Sequence, residues 1–416
     1  MPTRRVIFSI VLAISANLIL AVILPKVDIW STETPRIAAA VAAGHGFSSP
    51  FRRPTGPSAW IPPVYPYLLA GIFLLCGGPG AASYCVAVAI NIIVHAFTCV
   101  LLYRTAGETF GPRVGIYSAC ALASFPLVFY PLVLLHVLGG YAGRGLFISP
   151  NIIWYTHMTE MAIVLLIWLT LHPPHWAVFG TAWGISALLN PTLLALAPAF
   201  GWQLENRKGW RYLGLAALLA VLCVVPWLAR NYIVLHHMIF IRDDFGTELR
   251  VGNVPGHKGR WDGESHPDRS DYELGRVREM GEVEYSRASG QQAVETIRAH
   301  PGEFLHSVIL RIGYWWVGNP MASRRLGKMK FLKYLPQLIF SILAFIGVAR
   351  AVRANNRNAF LFVAVLVFYP LIYYLTHTFE GFLYQYPTQP EMLALAVSVV
   401  FKEKYNGPLE PYTLSG

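Results

Sequence analysis

The twenty residues from Val6 to Pro25 carry no charge, and apolar stretches of similar kind recur along the chain with short polar segments between them. A helix of about 20 residues crosses the roughly 30 Å hydrocarbon layer of a bilayer. Hydrocarbon offers no partner to backbone N–H and C=O groups, so each must be satisfied within the protein, and helices do this within one segment. Of the 416 residues, 55% are hydrophobic and only 13% charged, which extends the argument to the whole chain. The expected fold is an all-α polytopic membrane protein. Arg4-Arg5 ahead of the first apolar stretch also fits a signal peptide, but no small-x-small cleavage site follows. The segment reads as a retained first helix.

Cys76, Cys85, Cys99, Cys120 and Cys223 lie in or beside apolar segments without metal-ligand spacing, so neither a disulfide framework nor a zinc site is implied. The net charge is +11, yet 13 of the 22 acidic residues fall between Arg230 and His306, and the basic excess lies in loops between helices. Positive-inside orientation accounts for that excess without a nucleic-acid partner.

Short basic loops should share the cytoplasmic side. They are Arg4-Arg5, Arg104 to Arg113, Arg207-Lys208 to Arg211, and Arg350, Arg353 and Arg357, with Lys402 and Lys404 a further one. An even number of crossings must separate any two. Parity makes 61–77, short and rich in proline, an interfacial helix; it breaks 176–203 at Asn190-Pro191 into two half-length passes; and it lays 305–321, with Arg311 at its centre, along the interface. The result is about ten transmembrane helices (9–12), both termini inside, with a long outer region at 229–333. Three parts follow: a transmembrane module over 1–228, the outer region 229–333, and C-terminal helices over 334–416. Arg324, Arg325, Lys328, Lys330 and Lys333 then face outward against the rule. Either 305–321 spans, or this cluster serves an anionic ligand.

Asp28 and Glu33 stand just beyond the first apolar segment. Thr34-Pro35 reads as N-cap and first residue of a helix from Pro35 to Ala43, ended by Gly44. Its dipole would favour an ionised Glu33. A carboxylate fixed there can accept a proton from a hydroxyl; it can equally be plain flanking charge. Glu160 sits in an apolar segment, where an ionisable group marks a candidate site or snorkels outward. Arg230, at the outer end of its span, suits a phosphate or an interfacial anchor. Trp315, Trp316, Tyr384 and Tyr386 suit a sugar or lipid groove, or an interfacial belt. A carboxylate pair could also recruit a divalent metal.

Together, Glu33-Thr-Pro-Arg36-Ile-Ala with Gly44-His-Gly-Phe47, then Thr55-Gly-Pro-Ser-Ala-Trp60-Ile-Pro-Pro-Val-Tyr65-Pro66, resemble the first outer loop of bacterial membrane glycosyltransferases of the GT-C class, relatives of the protein O-mannosyltransferases and of the aminoarabinose transferase of lipid A. Leu188 to Thr192, Pro226 to Asn231, Gly252-Asn253 and His377 to Pro390 are similar to later blocks of that pattern. The resemblance implies inverting transfer of a sugar from a polyprenyl-phosphate donor to a lipid, glycan or protein hydroxyl, at the extracytoplasmic face of the bacterial inner membrane. It gives Glu33 the base position, with Asp28 in reserve. Arg36, Tyr65, Glu160, Arg230, Arg311, Arg324, Arg325 and Tyr384 are the expected substrate contacts. Two departures stand out. The usual adjacent acid pair is split, and Leu383-Tyr-Gln-Tyr-Pro387 lacks the two arginines of the usual closing block. A transporter or flippase of lipid-linked saccharide, or a non-catalytic membrane scaffold, are the alternatives. The first would keep several ionisable groups deep in its spans.

Overall fold

The computed structural model describes residues 2–23, 32–128, 153–318, 335–377 and 384–401. Within them the chain is helical, and the one β contact is an isolated bridge between Ser48 and Pro57. Four helical stretches are long and apolar enough to cross a membrane: Arg4–Ala21, Ala81–Phe110, Pro191–Leu235 and Leu335–Arg353. Shorter apolar helices accompany them at Val64–Cys76, Thr156–Leu171, Trp176–Leu189 and Ala359–Leu375.

In chain order, α1 is Pro2–Ile23, α2 Glu33–Ala42, α3 Val64–Cys76, α4 Ala81–Phe110, α5 Pro112–Val128, α6 Thr156–Leu171, α7 Trp176–Leu189 and α8 Ala197–Leu235. Then come α9 Phe245–Gly252, α10 Asp271–Met280, α11 Glu282–Ala299, α12 Pro301–Val317, α13 Leu335–Arg353, α14 Ala359–Phe368, α15 Leu371–Leu375 and α16 Gln389–Val400. At 13 residues, α3 is only about 20 Å long.

The break at Asn190-Pro191 is present. α7 ends at Leu189, the Asn190 side chain accepts the Thr192 N–H at 3.1 Å, and a 3-10 turn over Pro191–Leu196 leads into α8. α8 is itself interrupted at Gly209, whose φ of 77° lies in the left-handed region. Gly180 packs on Ala216 and Gly184 on Ala220, so α7 runs parallel to the part of α8 beyond Gly209. The stretch between must therefore return the chain, which divides one long helical run into two segments at Gly209. A Cβ on Gly180 would overlap the Ala216 carbonyl oxygen, so only glycine permits this approach.

The main core joins α4, α6, α14 and α16 with their neighbours, while Leu218, Val221 and Leu222 of α8 stay exposed as a lipid-facing surface requires. A second, smaller core packs the first loop onto the 239–285 region: Phe47, Phe51, Trp60 and Ile61 meet Trp227, Ile241, Leu274 and Tyr285. The Arg52–Asp271 ion pair (3.2 Å) adds to the contact. The first loop and the helices α9 to α11 thus share one side of the protein.

That shared side gives a direct expectation. In a cysteine-free background, Arg53→Cys and Tyr272→Cys, both at exposed positions, should react with an impermeant maleimide in intact cells. Lys208→Cys, exposed at the Gly209 kink, should be protected. Opposite behaviour of Arg53→Cys and Tyr272→Cys would break the packing described here; labelling of Lys208→Cys together with them would break the assigned topology.

Candidate active site

α2 begins two residues earlier than the sequence suggests, with Thr32 as N-cap and Glu33 as its first residue. Pro35 is tolerated inside the first turn because N–H groups there have no intrahelical partner anyway. The helix ends as expected, at Gly44 with a φ of 81°. The dipole does not keep Glu33 ionised. Burial pushes its carboxyl up to about 7, the charge of Asp268 adds to the push, and the helix N–H and Arg36 pull the other way without prevailing.

Glu33 has a second acidic neighbour. Burial, with the charge of Glu33, raises Glu248 of α9 to about 7 against the pull of Arg242. The Glu248 carboxylate lies 3.2 Å from His377 Nδ1. Burial and the positive Arg311 lower His377 to about 3, so its ring is neutral at pH 7. Tyr384 stacks on Tyr373 with ring centres 4.8 Å apart and meets His377 edge-on at 5.5 Å. Burial and Glu248 hold its hydroxyl protonated. Arg242 hydrogen-bonds Tyr155 and ion-pairs Asp244. The cluster therefore contains two carboxyls that each keep a proton up to about pH 7, a neutral imidazole and a cation.

Arg36 braces it from the first loop. Its guanidinium ion-pairs with Asp268 and donates to the Pro50 carbonyl at 3.1 Å. The Asp268 N–H in turn donates to His266 Nδ1 at 3.1 Å. Asp243 and Glu282 form a further acidic pair, and these hold the loop rather than face the cluster. Glu282 accepts the Ala59 N–H at 2.6 Å, and the Asp243 N–H donates to the Ala59 carbonyl at 3.1 Å. Burial pushes Asp243 up to about 6.

The two arginines expected at a phosphate are occupied. Arg230 donates to the carbonyls of Ser58 (2.6 Å) and Phe47 (2.7 Å) and lies over the Trp227 ring at 5.0 Å. It anchors the first loop. Arg311 is fully buried with no carboxylate beside it among the described residues, and its donors end on the carbonyls of Gly252, Gly259 (3.0 Å), Tyr374 (3.1 Å) and Leu375 (3.0 Å) and on Asn253 Oδ1 (2.9 Å). It joins the end of α9 to the end of α15, the two segments that carry Glu248 and His377.

Tyr65 is buried in the main core. Trp315 is buried against Tyr373, with ring centres 5.4 Å apart, and Trp316 donates to the Tyr374 hydroxyl at 3.0 Å, so both serve packing. Glu160 lies apart from the outer cluster, buried against His95 (3.3 Å) and His157 (4.0 Å). Asp28, Arg324, Arg325, Lys328, Lys330 and Lys333 lie outside the described residues. Sequence reasoning assigned no role to Arg242, Glu248, Asp268 or His377. A usable signal was present in Arg242-Asp243-Asp244, a dense charged group four to six residues before Glu248 in an otherwise uncharged stretch.

No protein-family model matches the chain, and no curated protein matches it. Among solved structures it is similar to the oligosaccharyltransferase of Archaeoglobus fulgidus, determined in complex with Zn and sulfate, with a TM-score of 0.47 and 13% sequence identity over 95% of this chain and 49% of that one. The chain spans about half the length of that protein.

Proposed function

We propose that the chain is an inverting glycosyltransferase that passes a sugar from a polyprenyl-phosphate donor to a hydroxyl acceptor at the outer face of the membrane. The observation that supports this reading is the Glu33–Glu248 pair, two half-buried carboxyls raised to about 7 beside a neutral imidazole and a cation. A base is most effective when its proton affinity matches the working pH. Glu33 takes the acceptor hydroxyl proton as the acceptor oxygen attacks the anomeric carbon. The bond from that carbon to the phosphate oxygen breaks, and polyprenyl phosphate leaves with the electron pair. Arg242, which ion-pairs Asp244 and whose charge reaches Glu248, meets the phosphate charge. Glu248 feels the charge of Glu33 and stands 3.2 Å from His377, and Tyr384 offers a ring face to the sugar.

A second reading, a flippase for lipid-linked saccharide, draws on the buried His95, His157, Glu160 and Glu391 inside the bundle, since transporters keep ionisable groups at such depth. Purified protein in proteoliposomes with radiolabelled polyprenyl-phosphate hexose or pentose separates the two. Transfer requires release of polyprenyl phosphate in step with an inverted glycoside product. Translocation of intact donor without cleavage would replace the transferase by the flippase. For transfer, kcat/KM should rise with pH through about 7, because Glu33 works only after losing its proton. A profile flat between pH 5 and 9 would remove it as base.

A further inference from the structure

We propose that His95, His157 and Glu160 bind one divalent transition-metal ion, of the zinc type, inside the helical bundle. His95 lies midway along α4, and His157 and Glu160 lie in the first turns of α6. All three are buried, and one ligand atom from each lies within 4.8 Å of the others. His95 Nδ1 is 3.3 Å and His157 Nδ1 4.0 Å from Glu160 Oε2. Bonds of about 2.1 Å to a tetrahedral ion put its ligands about 3.4 Å apart, so small side-chain movements would complete the triangle. The Tyr386 hydroxyl, 3.2 Å from His95 Nδ1, stands beside it.

Charge supplies the second argument. Glu160 Oε1 has no hydrogen-bond partner among the described residues, and the buried Glu391 meets no donor beyond its own helix backbone. Glu391 is close enough to Glu160 to feel its charge. Neither has an arginine or lysine partner among the described residues. A buried carboxyl oxygen left without a donor is costly in an apolar interior. A cation held by Glu160 would satisfy it. Two imidazoles and one carboxylate suit zinc and its neighbours rather than the oxygen-seeking Mg²⁺ or Ca²⁺. The ion would pin the start of α6 to the middle of α4, beneath the outer cluster and without using any of its residues.

The test uses full-length protein purified without a histidine tag, stripped with chelator and dialysed against Zn²⁺ or Co²⁺. Elemental analysis should find about one ion per chain, and Co²⁺ should show the intense visible absorption of a tetrahedral site. Glu160→Gln and His157→Asn should each weaken uptake by about tenfold or more, while Glu248→Gln should leave it unchanged. Loss of metal in Glu248→Gln with retention in Glu160→Gln would place the ion in the outer cluster and overturn the proposal. Should both buried-site variants fail to fold, the wild type alone decides: folded, monodisperse protein that takes up neither ion refutes the site, and a tetrahedral Co²⁺ spectrum upholds it.

Discussion

Glu33→Gln should abolish sugar transfer, lowering kcat by about 10²–10⁴-fold with little effect on expression or donor affinity. Glutamine keeps the shape of the side chain, so the fold around it should persist. The Arg36–Asp268 ion pair and the Phe47–Trp227 contact do not involve the Glu33 carboxyl. Removing a carboxyl that already holds a proton up to about pH 7 should also leave stability near neutral pH almost unchanged. The loss must then appear in turnover. Isothermal donor binding beside steady-state kinetics separates the two quantities. Wild-type turnover in Glu33→Gln together with a dead Asp28→Asn would move the base to Asp28, and activity in both variants would end the mechanism. Glu248→Gln serves as the companion test. It removes a negative neighbour of Glu33 and should shift the pH–rate profile to lower pH, which loss of packing alone would not do.

How much of this was legible before the structure depends on the range over which each signal acts. Apolar length, the Asn190-Pro191 break and the Gly44 stop are local, and each appears where the sequence places it. The protonation of Glu33 is not local. The helix dipole was visible in Glu33-Thr-Pro, but Asp268 is 235 positions away and Glu248 215 away, and only folding brings them together. The same holds for the arginines. Arg311 in an apolar segment looked like a charge in search of an anion, yet carbonyls from two distant segments satisfy it. Glu160 illustrates a third case: its isolation in an apolar helix was evident, whereas His95, on another helix, gives it chemical meaning.

Arg311→Met should destabilise the protein by about 3–5 kcal/mol, the cost typical of removing one member of a buried polar network. Methionine fills much of the volume but leaves the carbonyls of Gly252, Gly259, Tyr374 and Leu375 without the donors that now satisfy them. Gly252 also packs directly on the Thr376 carbonyl, so a shift here separates the end of α9 from the residue before His377. The 3.2 Å approach of Glu248 to His377 would open with it. Arg311→Lys should recover only part of the loss, since an ammonium cannot reproduce a planar fork that reaches two segments at once. Denaturant unfolding in detergent measures the first effect, and donor KM measures the rival role. A phosphate ligand would raise KM or depress kcat while leaving the unfolding midpoint near wild type. If Arg311→Met unfolds within about 0.5 kcal/mol of wild type and yet loses donor affinity, the guanidinium belongs to the substrate and not to the frame.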